Sequence, residues 1–225
     1  MFKCIRDFKF AIAIGAVLCV SVIICFCAFS FSGKKIAFEA EYYFVCYRVT
    51  DNSISASSIS GTVSSYGGAG YILNHGKNYY ITVSCYYNKT DADTVCTSLK
   101  KRDLDCTVLK ISTKNFKIKG SAAQRNEELY LGNLNTLHTL SMLAYECANG
   151  LDTGEYTQNN SKSVVGDIKQ GLIGLLHSNG DNCFTPKLNS LIAECEDKEV
   201  GFLLSKDMRY LQIAVIDTIV NTELY

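Results

Sequence analysis

The sequence predicts an α+β protein. It should begin with an N-terminal transmembrane helix and continue as a β-α-β-β-α-β unit, a four-stranded antiparallel sheet with two helices on one face. A small all-α helical region follows. Three observations predict this. An uncharged apolar stretch stands near the start, a strand-helix-strand pattern is written twice behind it, and the apolar period switches from two to helical beyond residue 126.

The first element is "FAIAIGAVLCVSVIICFCAFSFSG", Phe10 to Gly33, which contains no charged residue. At about 1.5 Å per residue it would reach about 36 Å as a helix, enough for a hydrocarbon core of about 30 Å. Lys3, Arg6 and Lys9 precede it, and Lys34 and Lys35 follow. The positive-inside rule therefore predicts residues 1–9 as a cytoplasmic tail, 10–33 as the span and the rest outside the cell membrane.

The second copy of the pattern is the clearer one. In "YYITVSCYY", Ile81, Val83 and Cys85 alternate with Tyr80, Thr82, Ser84 and Tyr86, the period of a strand with one apolar and one aromatic-polar face. "NKTDADTVCTSLKKRD" then offers Asn88 or Thr90 as a cap, acids in the first turn and bases in the last. Ala92, Val95, Cys96 and Leu99 fall on one helical face. "LDCTVLKI" alternates again. In the first copy, Phe44 and Cys46 alternate with Tyr43, Val45 and Tyr47, and Ala56, Ile59 and Val63 precede Ala92, Val95 and Leu99 by 36 positions each. Gly67, Gly68 and Gly70 end that helix, and "NHGKN" turns into the second copy. Two such units side by side make an antiparallel sheet with both helices on one face and the other face open.

These residues resemble the SPOR domain, the sporulation-related repeat of bacterial envelope proteins. "YITVSCY" follows its first-strand pattern with Thr82 for the usual Gln and Ser84 for the usual Gly. "DADTVCTSLKKRDLDCTVLKI" follows its helix and last strand with Asp103 for Gly, and "YFVCYRV" has Val45 and Tyr47 at the Gln and Gly places. The resemblance spans residues 41–112. It implies binding to peptidoglycan glycan strands through the open sheet face, by a membrane-anchored protein of cell division or sporulation. The glycan-binding residues implied are Tyr43, Tyr47, Tyr80, Thr82, Ser84 and Tyr86, whose rings give apolar platforms with polar tips and whose hydroxyls can bond sugar oxygens.

Residues 113–125, including the basic "KNFKIK", are predicted as a linker, and 126–225 as a helical bundle. Its first stripe runs from Tyr130 through Leu134, Leu137, Ala144 and Ala148 to Gly150. The second helix covers about residues 162–177, the third begins at Thr185-Pro186, and the fourth is "SKDMRYLQIAVIDTIVNTEL". The second functional expectation is a membrane-anchored structural or scaffold protein whose sheet face and helical region bind a protein partner.

Other classes find little support. The 22 basic and 22 acidic residues cancel, so no global field draws the chain to nucleic acid. His75, His138 and His177 are too scattered to build a zinc site with the cysteines, and no metal or other cofactor is expected. No zinc-amidase, G-x-S-x-G or phosphate-loop pattern occurs, so no enzyme activity and no catalytic residue is predicted. Of 11 cysteines, seven lie beyond the apolar stretch without a C-x-x-C pair, and most read as reduced core thiols.

Overall fold

The computed structural model describes residues 34–113, 116–118, 127–179 and 184–221. Strand β1 (Lys34–Ile36) leads into β2 (Ala40–Thr50), helix α1 (Ser53–Ser65), β3 (Tyr71–His75), β4 (Asn78–Tyr86), α2 (Lys89–Lys100) and β5 (Thr107–Thr113). A short β6 (Phe116–Ile118) and four helices follow: α3 (Glu127–Thr153), α4 (Gln158–Asn179), α5 (Thr185–Val200) and α6 (Ser205–Val220). The sheet is antiparallel in the order β3-β4-β2-β5, and β1 pairs with β6 as a separate ribbon. Part of the predicted linker is thus a strand.

The two copies of the pattern are related by an internal pseudo-twofold axis, and the register itself carries it. Adding or subtracting 36 turns the pair Phe44↔Cys85 into Val49↔Tyr80, and Tyr43↔Tyr86 into Thr50↔Tyr79. The same operation turns Phe44↔Leu109 into Leu73↔Tyr80, while Cys46↔Thr82 maps onto itself. The axis therefore passes through the Cys46–Thr82 pair.

The helix ends obey the same offset. Asn52 Oδ1 accepts from the Ile54 and Ser55 amides at 2.9 and 3.1 Å, and Asn88 Oδ1 accepts from the Asp91 amide at 2.9 Å. At the C-terminal ends, Gly68 N donates to Val63 O and Gly67 N to Ser64 O; in the second copy Leu104 N donates to Leu99 O and Asp103 N to Lys100 O. Both are Schellman closures, which place one residue in the left-handed region. That residue is Gly67 (φ 87°) in one copy and Asp103 (φ 59°) in the other. A side chain at such a φ costs roughly 1 kcal/mol that glycine does not pay. Asp103→Gly is therefore expected to raise stability by about that amount, read as a higher denaturant midpoint. A lower midpoint would show that Asp103 compensates its conformation.

The predicted fold class needs correction at two points. No helix among the described residues is long and apolar enough to cross a membrane, and the predicted span, residues 10–33, lies outside the described residues. The described helices are amphipathic: α3 buries Leu134, Leu137, Ala144 and Cys147 while Glu128 and Glu146 face outward, so its apolar stripe serves a protein core. Second, the sheet face expected to be open is covered. Tyr42, Phe44, Cys46, Leu73, Cys85 and Ile111 share one apolar cluster with Leu134, Leu137, Leu211, Val215 and Ile216 of the bundle. The helical region is the third layer of an α-β-α arrangement that has α1 and α2 on its other side.

Polar contacts fix the layers at their seams. Gln212 Nε2 donates to Cys85 O at 3.1 Å, Tyr71 OH to Asp217 Oδ2 at 3.0 Å, and Asn221 Nδ2 to Asn74 O at 2.8 Å. Tyr42 OH lies 3.0 Å from His138 Nδ1, and Tyr87 OH 2.8 Å from Ser141 Oγ. The Asn221 contact lies at the exposed edge, and the others are partly or fully buried, with Gln212 Oε1 left without a partner. Burial pushes the Tyr87 and Tyr42 phenols up and the His138 imidazole down, in each case favouring the neutral ring.

Candidate functional site

The six residues expected to bind glycan do not share a face. Tyr43 and Tyr86 are buried beside α2 with Val45, Ala92 and Cys96. Tyr47 packs on the α1 side with Val63 and Ile81, whereas Tyr80 packs against the cluster shared with the bundle. Thr82 is fully buried and donates its hydroxyl to Tyr71 O at 2.9 Å; Ser84 is buried with no hydrogen-bond partner for Oγ. The structure brings Tyr43 together with Tyr86, which are cross-strand partners.

Two β-bulges explain the scatter. Between β2 and β4 the register runs Val45↔Ser84, Cys46↔Thr82, Arg48↔Ile81, so Val83 and Tyr47 are each an extra residue. A bulge shifts the alternation by one, and every side chain beyond it changes face. Tyr80 and Tyr86 therefore point to opposite sides although they are an even number apart. The Tyr47 and Val83 bulges are themselves related by the 36-residue offset, one on each strand beside the axis.

What the bulges build is a groove between α1 and α2. It is lined by Tyr47, Val63, Tyr66, Gly68, Val83, Leu99 and Leu104, and its cavity of about 50 Å³ opens to solvent. Six of the seven are pairs under the pseudo-twofold: Tyr47 with Val83, Val63 with Leu99, Gly68 with Leu104. Each Schellman closure contributes its two apolar positions, so the caps shape the walls. A Cβ at Gly68 would come 2.7 Å from Val63 Cγ1, which is why the first copy presents bare backbone where the second presents Leu104. Tyr66 stands at the rim, 77% exposed, with Arg102 as its counterpart. The lining is almost wholly carbon.

The second wall is clamped. Cys96 and Cys106 form a disulfide, with Cα atoms 5.8 Å apart, that closes the segment carrying Leu99 and Leu104. At the matching positions of the first copy, Ser60 Oγ donates to Gly70 O. One copy thus uses a hydrogen bond where the other uses a covalent link. The expectation of reduced core thiols does not hold for Cys96 and Cys106, whose bridge no local spacing signals. Cys46, Cys85, Cys147 and Cys195 are free and buried, and desolvation pushes Cys46 and Cys195 each up to about 12.

A second cleft, about 130 Å³, lies between β3, α5 and α6 and includes Tyr71, Lys187, Glu194, Tyr210 and Asp217. Its charges already answer one another. Asp217 accepts from Tyr71 and pairs with Lys187 at 3.7 Å, Glu194 pairs with Lys198 at 2.8 Å, and Lys198 lies 5.2 Å from the Tyr210 ring centroid. This is a polar seam between sheet edge and bundle. Among the described residues no group of three or more histidine, cysteine or acidic side chains could hold a metal ion.

The fold and groove define a class: a duplicated β-α-β sheet layered between its own two helices and a helical bundle, with an apolar groove on the duplication axis. Compared with family models, curated proteins and solved structures, the chain matches none.

Proposed function

We propose that this chain is a binding protein that holds a protein partner through the groove between α1 and α2, the bundle serving as the rigid backing of the sheet. The supporting observation is the pairing of a filled sheet face with an unfilled apolar groove on the opposite side. A side chain entering the groove would bury carbon against Val63, Val83, Leu99 and Leu104, which favours association by about 25 cal/mol per Å² removed from water. The envelope setting implied by the SPOR resemblance is where such a partner would be met.

Glycan binding by the sheet face is the weaker reading. It requires α3 and α6 to leave a face on which Phe44, Leu73 and Cys85 are sealed, and the groove offers sugar hydroxyls few polar partners. A photo-crosslinking residue at position 66 of the full-length protein, irradiated with an envelope fraction, tests the two together. The expected result is a discrete protein adduct that Leu104→Glu abolishes. Retention on amidase-treated sacculi that is lost in Tyr80→Ala with Tyr86→Ala, without any adduct at position 66, would instead establish glycan binding.

A further inference from the structure

We propose that the groove's partner is an acidic peptide segment that inserts one large apolar or aromatic side chain between α1 and α2. This rests on the reading of the groove as the binding surface and adds the chemistry of the occupant. Three observations carry it.

The first is shape. The free space, a cavity of about 50 Å³ open on one side, lies between two helices over the Val83 bulge, and Tyr66 stands exposed at its mouth to cover an inserted group. A single anchor in a carbon-lined pocket with an aromatic at the rim is the arrangement that concentrates binding energy at protein interfaces.

The second is charge. Lys100, Lys101 and Arg102 are exposed in the turn that joins the lining residues Leu99 and Leu104, and the exposed Arg48 lies with its Cζ 5.7 Å from the centroid of the Tyr47 ring. None of the four makes an ion pair with a described residue. Asp103 lies in the same turn and Asp105 just beyond Leu104, so three cations stand against two carboxylates along residues 100–105, and Arg48 has Asp51 three residues after it. The facing wall, "SISASSISGTVSS" of α1, has no charged residue, so nothing on that side answers the excess. The carbonyl end of α1, which would otherwise repel an acidic segment, is met by Lys206, whose Nζ donates to Ser64 O at 3.0 Å.

The third is the contrast with the rest of the surface. Elsewhere Lys89, Lys110, Lys169, Lys187, Lys198 and Arg209 each meet a carboxylate of this chain, whereas Lys77 and Lys162 make no ion pair with a described residue. Three of the cations without an ion pair, Lys100, Lys101 and Arg102, are consecutive in the turn at the mouth of the groove. A partner with flanking acids would complete these pairs, while its apolar residue fills the space between the helices. Rim charges of this kind set specificity and encounter rate more than affinity.

The test uses full-length protein and three fluorescein-labelled peptides: Asp-Glu-Phe-Leu-Asp-Glu, its basic counterpart Lys-Arg-Phe-Leu-Lys-Arg, and its anchorless counterpart Asp-Glu-Ser-Ser-Asp-Glu. Binding is read by fluorescence polarisation. The acidic peptide with the Phe-Leu anchor should bind about tenfold or more tighter than either control. Combined Lys100→Glu, Lys101→Glu and Arg102→Glu, all at exposed positions, should weaken it about tenfold and reverse the preference between acidic and basic peptides. Raising salt from about 0.1 M to about 1 M should do much of the same, because the screening length falls to about 3 Å. Tyr66→Ala should weaken both anchored peptides. Equal binding of the two anchored peptides, still dependent on Tyr66, would overturn the acidic partner and leave the groove as the binding surface. Binding of none of the three, or binding indifferent to Tyr66, would overturn both.

Discussion

Phe44→Ala should destabilise the whole protein by roughly 3–5 kcal/mol, the range for deleting a large aromatic side chain from a packed core. Phe44 has no exposed surface and belongs to the cluster that joins β2 to the bundle. Removing its ring leaves a void whose neighbours come from two layers, and strand and helix backbones cannot both close on it. On an open sheet face, the same substitution would remove an exposed ring and cost little. The expected readout is one cooperative denaturant transition, shifted to lower midpoint, seen alike by circular dichroism and by tyrosine fluorescence, the chain having no tryptophan. A bundle transition that keeps its midpoint while the sheet melts early would show that the layers do not share a core.

The second large effect is expected at the disulfide. Cys96→Ser with Cys106→Ser, or reduction by a dithiol, should cost roughly 2–3 kcal/mol, the loop-closure contribution for a bridge of this span. The sequence separation is 10, and the enclosed segment holds Leu99, the left-handed Asp103 and Leu104. Without the bridge, the second wall of the groove would depend on its Schellman hydrogen bonds alone, while the Ser60–Gly70 contact keeps the first wall closed. Loss of stability should therefore come with loss of peptide binding at the groove. Unchanged stability on reduction would mean that the bridge closes a loop already fixed by packing.

What could be read in the sequence was local. Asn88 at the helix start, the Ala56/Ala92 and Val63/Leu99 equivalences and the glycines after α1 each report on a few neighbouring residues, and the structure places them as caps, buried contacts and closures. The bulges were not legible. Ile81, Val83 and Cys85 alternate without fault, yet Cys85 faces the bundle while Ile81 and Val83 face the other side, because the extra residue sits at Val83. Pairing across the chain was equally silent: nothing near "KNFKIK" marks it as the partner of residues 34–36, and nothing near Cys106 marks Cys96. The amphipathic stripes of α3 and α6 are equally compatible with a bundle that packs only on itself. They face each other and the sheet at once, and that shared burial moved the candidate site from the sheet face to the groove behind it.

Native-state alkylation of Cys46 and Cys85 tests the central claim, that the bundle seals the sheet and leaves the groove as the binding surface. Both thiols lie on the sheet beneath the bundle, Cys46 with no exposed surface and Cys85 at 1%. Iodoacetamide should leave them unmodified until the protein unfolds globally, in step with Cys147 and Cys195 of the helical layer. Rapid modification of Cys46 and Cys85 while Cys147 and Cys195 stay protected would contradict the account, because it would mean that the sheet face is open to solvent in the folded protein.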